Sequence, residues 1–297
     1  MITTLTRIVN WTILISFIIC FAYQAVYLIA PYIKKEKEHL PEKLHRYAVL
    51  IAARNEEGVI RQLIESIQKQ NYPKELLDIY VVADNCTDST AEVAYSTGAY
   101  VYERFNRVQV GKGYALQYLL NEISQSGNME DYDGFFIFDA DNLLDENYVR
   151  ELNRTFNDGY KVVTSYRNSK NFGDNWISSG YALWFLHEAQ FLNRGRMRVG
   201  NSCMVSGTGY VIAREVLELT NGWNFFLLTE DIEFTADCIV NKEKIGYCER
   251  AVFYDEQPVK FKEAWNQRLR WVKGYFQVQR KYGRTLMKGL GKKGGFS

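Results

Sequence analysis

Paired cysteines, clustered histidines, linker-like segments and net charge are all scarce in this 297-residue sequence, and each scarcity closes off a class of protein. The five cysteines (Cys20, Cys86, Cys203, Cys238 and Cys248) are scattered without a CxxC pair. That spacing offers neither a disulfide framework nor a zinc site, and it suits a reducing compartment. The three histidines (His39, His45 and His187) do not share the spacing of metal ligands on one helix face. With 36 basic and 35 acidic side chains the net charge is only +1. Duplex nucleic acid is thereby excluded as the main partner, because binding its phosphate backbone needs a large basic excess. No internal repeat is present. No stretch rich in proline, glycine or serine divides the chain, which predicts one folded unit with an ample apolar core.

Aromatic residues, by contrast, make up 15% of the chain. Such rings can stack on the apolar C–H faces of sugars, or line a membrane interface. One long apolar run exists, Trp11 to Ala30, without a charge. Roughly 20 such residues match the hydrocarbon thickness of a bilayer, so residues 11–33 are expected to form a transmembrane helix behind a short segment, 1–10. A cleaved leader would have a shorter apolar stretch and small residues at its cleavage site. Arg7 stands alone before the run, whereas Lys34, Lys35, Lys37, Lys43 and Arg46 follow it. The positive-inside rule then predicts a single-pass protein of the cell membrane with everything after the basic linker, 34–46, in the cytoplasm.

Beyond the linker, apolar runs alternate with helical patterns. YAVLIAA (47–53), LDIYVVAD (77–84) and GFFIFDAD (134–141) read as buried strands, with amphipathic helices near 57–69, after Asp88 and over 112–124. Strand–helix alternation with short connections implies an α/β fold built on a parallel sheet with helices on both faces. A strand (161–166), a long helix (175–193), a hairpin-like pair (245–248 and 251–254) and a final helix complete a domain expected over 47–284. The lysine- and glycine-rich residues 285–297 are expected to be a flexible tail.

Ligands of such sheets bind beyond the carboxyl ends of the strands, and acidic residues stand at those ends. Asp139 and Asp141, separated by one small residue, can share a hard divalent cation, Mg2+ or Mn2+, with the oxygens of a diphosphate. Helix capping is their ordinary alternative. Asp84 can accept a hydrogen bond from a nucleobase imide, and Ala53, Asn55 and Glu57 close the first strand where a base or ribose can rest. Lys112, between two glycines, brings a cation within reach of a phosphate. Thr229-Glu230-Asp231 either caps a helix or offers a carboxylate to accept a proton from an attacking hydroxyl. Gln267, Arg270 and Trp271 fall on one face of the final helix. They can hold a diphosphate and present a ring to a sugar, or belong to a basic amphipathic helix lying on a membrane.

Taken in order, Asp84, Asp139-Ala140-Asp141, Thr229-Glu230-Asp231 and Gln267-Arg268-Leu269-Arg270-Trp271 resemble the signature of the inverting family 2 glycosyltransferases, in their cellulose, chitin and hyaluronan synthase branch. The resemblance covers about residues 47–282. It implies a Rossmann-like glycosyltransferase A fold, a UDP-sugar donor, a magnesium or manganese ion, and inversion at the anomeric carbon. By position, Asp84 would contact uridine, and Asp139 and Asp141 would bind diphosphate and metal. Asp231 would be the general base, and Glu230, Gln267, Arg270 and Trp271 would frame diphosphate and acceptor. Ser206 to Gly209 resembles the small-residue stretch beside which acceptor sugar approaches.

Two departures stand out. Ala83 precedes Asp84 where the family often has a second Asp, and only 26 residues follow Trp271. The extra membrane helices of secreting synthases are therefore not in this sequence, and a pore would require oligomerisation or further chain. The expected function is transfer of a sugar from a UDP-sugar to a growing glycan at the cytoplasmic membrane face. An acceptor that is itself a membrane lipid, diacylglycerol or polyprenyl phosphate, is the alternative. A catalytically silent membrane scaffold would not need all these carboxylates.

Overall fold

The computed structural model describes residues 2–34 and 38–289; Lys35 and Lys37 of the basic flank, and residues 290–297 of the expected tail, lie outside the described residues. Eight strands form one sheet: β1 (Tyr47–Ala53), β2 (Leu77–Asp84), β3 (Tyr100–Arg104), β4 (Gly134–Asp139), β5 (Leu143–Leu144), β6 (Val162–Ser169), β7 (Tyr210–Ala213) and β8 (Ile245–Asp255). The helices are α1 (Ile2–Phe21), α2 (Tyr23–Ile33), α3 (Ile60–Gln68), α4 (Thr90–Tyr95), α5 (Lys112–Gln125), α6 (Tyr148–Asn157), α7 (Trp176–Leu186), α8 (Arg194–Val199), α9 (Arg214–Leu219), α10 (Glu230–Val240) and α11 (Phe261–Gly289).

Strand order is β3-β2-β1-β4-β7-β6-β8-β5. The first four strands are parallel, as expected, but β7 runs antiparallel to both β4 and β6. The sheet is therefore mixed. Two reversals restore direction, so β6 and β8 point the same way as β1, β2 and β4. The ends of all five lie along one edge, and β7 starts from that edge. Alternate residues of β1 explain its unbroken apolarity: Ala48 and Leu50 enter one core beneath α5, while Val49 and Ile51 enter a second beneath α3 and α6.

The expected hairpin at 245–254 is not formed. β8 is one strand paired parallel to β6, with register passing from Ser165–Cys248 to Tyr166–Val252. Residues 249–251 bulge outward instead of reversing the chain. The expected long helix over 175–193 is also interrupted. α7 passes at His187 into a π-helix, His187–Asn193, before α8 begins. α11 runs to Gly289, so residues 285–289 expected in the tail are helical.

Helical conformation at the N-terminus begins at Ile2, well before the expected Trp11, and the apolar stretch extends over Thr3–Ile33, within which an 18-residue window reaches a mean hydropathy of 2.3. Thirty-one helical residues reach about 46 Å, against a hydrocarbon core of about 30 Å. The last turns of α2 do not stand free. Tyr27 lies against Gly195 of α8 so closely that a Cβ at Gly195 would fall 2.5 Å from the Tyr27 Cα. The Tyr27 hydroxyl accepts from Asn201 Nδ2 at 2.9 Å. The linker is likewise held down. Arg150 donates twice to Glu42 at 3.0 Å, Asn157 donates to the Pro41 carbonyl, and Leu40 N donates to Asp158.

α11 crosses α10 at Gly274, where a Cβ would sit 2.5 Å from Thr229 Cγ2. Lys281 of α11 pairs with the buried Glu233 of α10 at 2.5 Å, and Gln277 accepts from Leu228 N. Gly274→Ala is expected to cost about 1–3 kcal/mol through overpacking. Gly180→Ala, on the open side of α7 with nothing within 4 Å of the added methyl, should be neutral or stabilising. Thermal unfolding of the two variants in detergent checks the contrast; equal melting temperatures would refute it.

Candidate active site

Because β1, β2 and β4 are adjacent and parallel, their terminal residues arrive at one level: Ala53 pairs with Ala83, next to Asp84, and Ala52 pairs with Asp139. The chain leaves β1 through Asn55 and leaves β2 through Asn85, both at positive φ (58° and 54°). Asparagine tolerates that region better than other non-glycine residues. The two turns interlock. Asn55 Oδ1 accepts from Thr87 N at 2.8 Å, Ser89 N donates to Glu57, and Cys86 donates weakly to the Ala53 carbonyl. Ala53, Asn55, Glu57 and Asp84 thus form one group at the strand ends. Asp84 is buried and paired with the equally buried Arg104 at 2.5 Å, and Arg104 also donates to the Gln109 carbonyl. The loop after β3 is therefore fastened to the same point.

Asp139 ends β4 beside Lys112, the first residue of α5. The ammonium donates to Asp139 Oδ1 at 2.5 Å and to the Gly207 carbonyl at 2.6 Å. Burial pulls that ammonium down, but the charges of Asp139, Glu230 and Asp231 outweigh it and raise its pKa. Gly207 and Gly209 adopt φ of 75° and 69°, and a Cβ at Gly209 would run into the Phe253 ring. Only glycine fits there. Between them the Thr208 hydroxyl accepts from Asp139 N and donates to Asn142, which tethers the Ser206–Gly209 loop to the acidic turn.

Asp141 points toward other carboxylates. Burial first, then Asp255, Asp139 and Glu56, push its pKa up to about 8. Asp255 is itself engaged by Arg167, by Asn142 Nδ2 at 2.9 Å and by Gln257. Among the described residues no group of three or more His, Cys, Asp or Glu forms a preassembled metal cage. Asp139 and Asp141 nonetheless fit a hard divalent cation that completes its shell elsewhere. They offer only oxygen, and their crowding favours added positive charge.

Across the edge, a cavity of about 290 Å³ is bounded by Lys112, Asp139, Glu230, Asp231, Gln267, Arg270 and Trp271. Seven of the expected site residues are thus together, drawn from β4, α5, α10 and α11. Asp141 and the four strand-end residues Ala53, Asn55, Glu57 and Asp84 adjoin this cavity without lining it. At the start of α10, burial first and the neighbouring Asp231 second raise Glu230 to about 7; burial also raises Asp231. Trp271 packs against Tyr181 and Phe185 of α7, and the buried Gln267 Oε1 has no hydrogen-bond partner.

Three site residues escaped the sequence reading. Glu188, on the π-helix, lines the cavity with an unpartnered Oε1 and is raised to about 7, chiefly by burial. π-Helical turns frequently mark functional sites, but no residue pattern in an apolar helix announces one. Arg167 stacks 3.7 Å over the Phe185 ring and donates to the Ser206 carbonyl. Glu56, beyond the end of β1, has its pKa raised by burial first and then by the charge of Asp139.

A family model described as Glycosyltransferase like family 2 matches residues 45–274. The probable glycosyltransferase YdaM of Bacillus subtilis is 27% identical over 84% of this chain and 60% of its own length. A beta-monoglucosyldiacylglycerol synthase of Synechocystis is 25% identical over 80% of this chain and 49% of its own. The poly-beta-1,6-N-acetyl-D-glucosamine synthase of Staphylococcus epidermidis is 22% identical, over 82% and 57%. The chain thus spans about half to three fifths of the length of these relatives. Among solved structures, a mannosyltransferase from Pyrobaculum calidifontis, in complex with GDP-Man and Mn2+, shares the fold. Its TM-score is 0.69 at 18% identity, covering 90% of this chain and 74% of that one.

The buried Asp84–Arg104 pair yields a direct test. Arg104→Met leaves a carboxylate buried without its counter-ion and is expected to cost about 3–5 kcal/mol. Replacing both partners together, Asp84→Leu with Arg104→Met, should recover most of that loss. Denaturant unfolding measures both. A single variant as stable as the parent would show that the pair does not hold the loop.

Proposed function

The chain belongs to Glycosyltransferase like family 2, and we propose that it is a metal-dependent, inverting transferase that moves a sugar from a UDP-sugar to an acceptor at the cytoplasmic face of a membrane. The observation that carries this reading is the cavity in which Asp139, Lys112, Asp231, Gln267 and Arg270 face one another. Asp84, Ala53, Asn55 and Glu57 hold the nucleoside at the adjoining strand ends. Asp139 and Asp141 would hold the divalent ion, Mg2+ or Mn2+. When bound, such an ion neutralises charge developing on the departing diphosphate. Lys112 and Arg270 supply fixed positive charge to the same group. Asp231, across the cavity, takes the proton from the acceptor hydroxyl as its oxygen attacks the anomeric carbon. The bond from that carbon to the diphosphate breaks on the opposite face, and the nucleotide leaves with the electron pair. Trp271 and the Ser206–Gly209 loop frame the acceptor, with Glu230 beside Asp231.

A membrane-lipid acceptor is favoured over a growing glycan by the rim of the cavity. Trp184, which lines it, is 62% exposed, and Leu183, Leu228, Tyr275 and Phe276 are exposed around it. Further along α11, Phe261, Trp265 and Val272 are exposed as well. This apolar surface suits an interfacial helix. It agrees with α1 and α2 as a membrane anchor whose basic flank lies on the cytoplasmic side. An engineered cysteine at Lys43 should escape impermeant reagents in intact cells; labelling there would reverse the topology.

Release of UDP from a panel of UDP-sugars, with diacylglycerol or an oligosaccharide as acceptor, tests the activity itself. EDTA is expected to abolish turnover, and Mg2+ or Mn2+ to restore it; full activity in the chelator would sink the metal assignment. Asp231→Asn should lower kcat by roughly 10²–10⁴-fold while leaving UDP affinity nearly intact. The base must be ionised to act, and burial raises the acids at this site. The parent kcat/KM is therefore expected to fall as pH drops through the raised pKa of Asp231, which burial places above the usual aspartate range. Near-normal turnover of the variant would reduce Thr229–Asp231 to a helix start.

A further inference from the structure

A second cavity, about 850 Å³, shares no lining residue with the first. It opens where α2 ends, between the linker at His39–Leu40, α8 and the bulge of β8. Lys34, the last described residue of the anchor, lines it, as do Arg194, Arg198, Lys244 and Arg250. Four of its five acids are already engaged, and the fifth, Glu38, is exposed. Asp158 pairs with His39 at 2.7 Å, and Glu151 with Arg154 at 2.6 Å. Glu243 stands 4.0 Å from Lys161, and Glu249 pairs with Arg194 at 2.9 Å and lies 4.0 Å from Arg198. Lys34, Lys244 and Arg250 have no ion-pair partner among the described residues, against the single unpaired acid Glu38, so unpaired cations outnumber unpaired acids on the cavity wall. Independently, the Tyr247 hydroxyl is buried at this wall without a hydrogen-bond partner. A phosphate oxygen would both accept from that hydroxyl and neutralise the surplus cations.

We propose that this cavity binds the phosphate headgroup of an anionic membrane lipid. The depth follows from the anchor. About 20 residues span the hydrocarbon, and the remaining turns of α2, docked on α8 through Tyr27 and Gly195, bring Lys34 to headgroup level. Basic pockets at that level select acidic lipids. The lipid would join anchor, linker and catalytic domain at one point, because Lys34, His39 and Arg250 belong to those three parts. This inference rests on the reading of Thr3–Ile33 as a membrane span. Retention of the protein in membranes after an alkaline wash tests that reading by itself.

The full chain, purified in neutral detergent, is titrated with phosphatidylglycerol, phosphatidylcholine or glycerol 3-phosphate while its melting temperature is followed. A saturable rise is expected with phosphatidylglycerol alone. In Lys244→Gln/Arg250→Gln the concentration for half the effect should increase about tenfold or more, in keeping with two lost cation contacts. Stabilisation by UDP should not change, which shows that the variant is folded. Tyr247→Phe, which keeps the ring, should weaken the lipid effect alone. The proposal is overturned if phosphatidylglycerol gives no rise, if the double variant responds like the parent, or if phosphatidylcholine works as well. Equal stabilisation by glycerol 3-phosphate overturns the lipid source.

Discussion

Repulsion among carboxylates gathered at one edge of the sheet sets the terms for everything around it. On one side Asp141 senses Asp255, Asp139 and Glu56, and on the other Glu230 senses Asp231. In a partly dry site, like charges this close favour protonation, and the raised values of Asp141 and Glu230 express that cost. Two protein cations hold the arrangement together. Lys112 bridges Asp139 and the Gly207 carbonyl, and Arg167 bridges Asp255 and the Ser206 carbonyl. Both therefore reach the same small-residue loop from opposite sides, so the loop's position depends on the charge balance. A divalent ion at Asp139 and Asp141 would relieve the repulsion and compete with Lys112 for Asp139. The ammonium would then be available to a diphosphate.

The mixed sheet is what makes this gathering feasible. The wholly parallel part, β3-β2-β1-β4, supplies four strand ends, and the strands beyond β4 build the rest of the edge. The antiparallel β7 starts from the same edge and carries the Ser206–Gly209 loop directly against Asp139. Beyond it, β6 and β8 bring Arg167 and Asp255 to the same level. α10 and α11 then close the far wall, and their contact at Gly274 leaves no room for a side chain.

Most of the first half was legible because local chemistry and fold agree there. Buried strands ending in Asp84 and Asp139 are visible as apolar runs that stop at charge, and periodicity marks α3 and α5. The second half was less legible because its departures depend on tertiary context. The residues 249–251 read as a turn, yet β6 lies alongside and accepts the whole segment as one strand with a bulge. The π-helix sits in an apolar run that any helix would fit. Glu188 and Arg167 lack flanking motifs, and only the packing of the π-helix against β6 makes them part of the site. Glu56 and Glu57 cannot be told apart by composition. Which of two adjacent acids faces Asp139 is decided by the turn at Asn55, with its positive φ.

The position of the N-terminal helices relative to the site follows from the same geometry. α7, the π-helix, α8 and α11 lie on one side of the sheet edge, and α2 packs on α8 and the π-helix. α2 is thus in contact with the helix that carries Glu188, and Phe185 and Trp271 join α7 to α11. α11 in turn touches α10 beside Asp231. The cavity wall made by Phe185, Glu188 and Trp271 is therefore built on elements joined to α2 through the π-helix, whereas the ends of β1 and β2 rest on α3, α4 and α5. A donor that is soluble and an acceptor that is lipid-borne would reach such a site from opposite directions. That division follows from the fold: the two halves of the sheet meet at β4 and β7, and Asp139 stands at the seam.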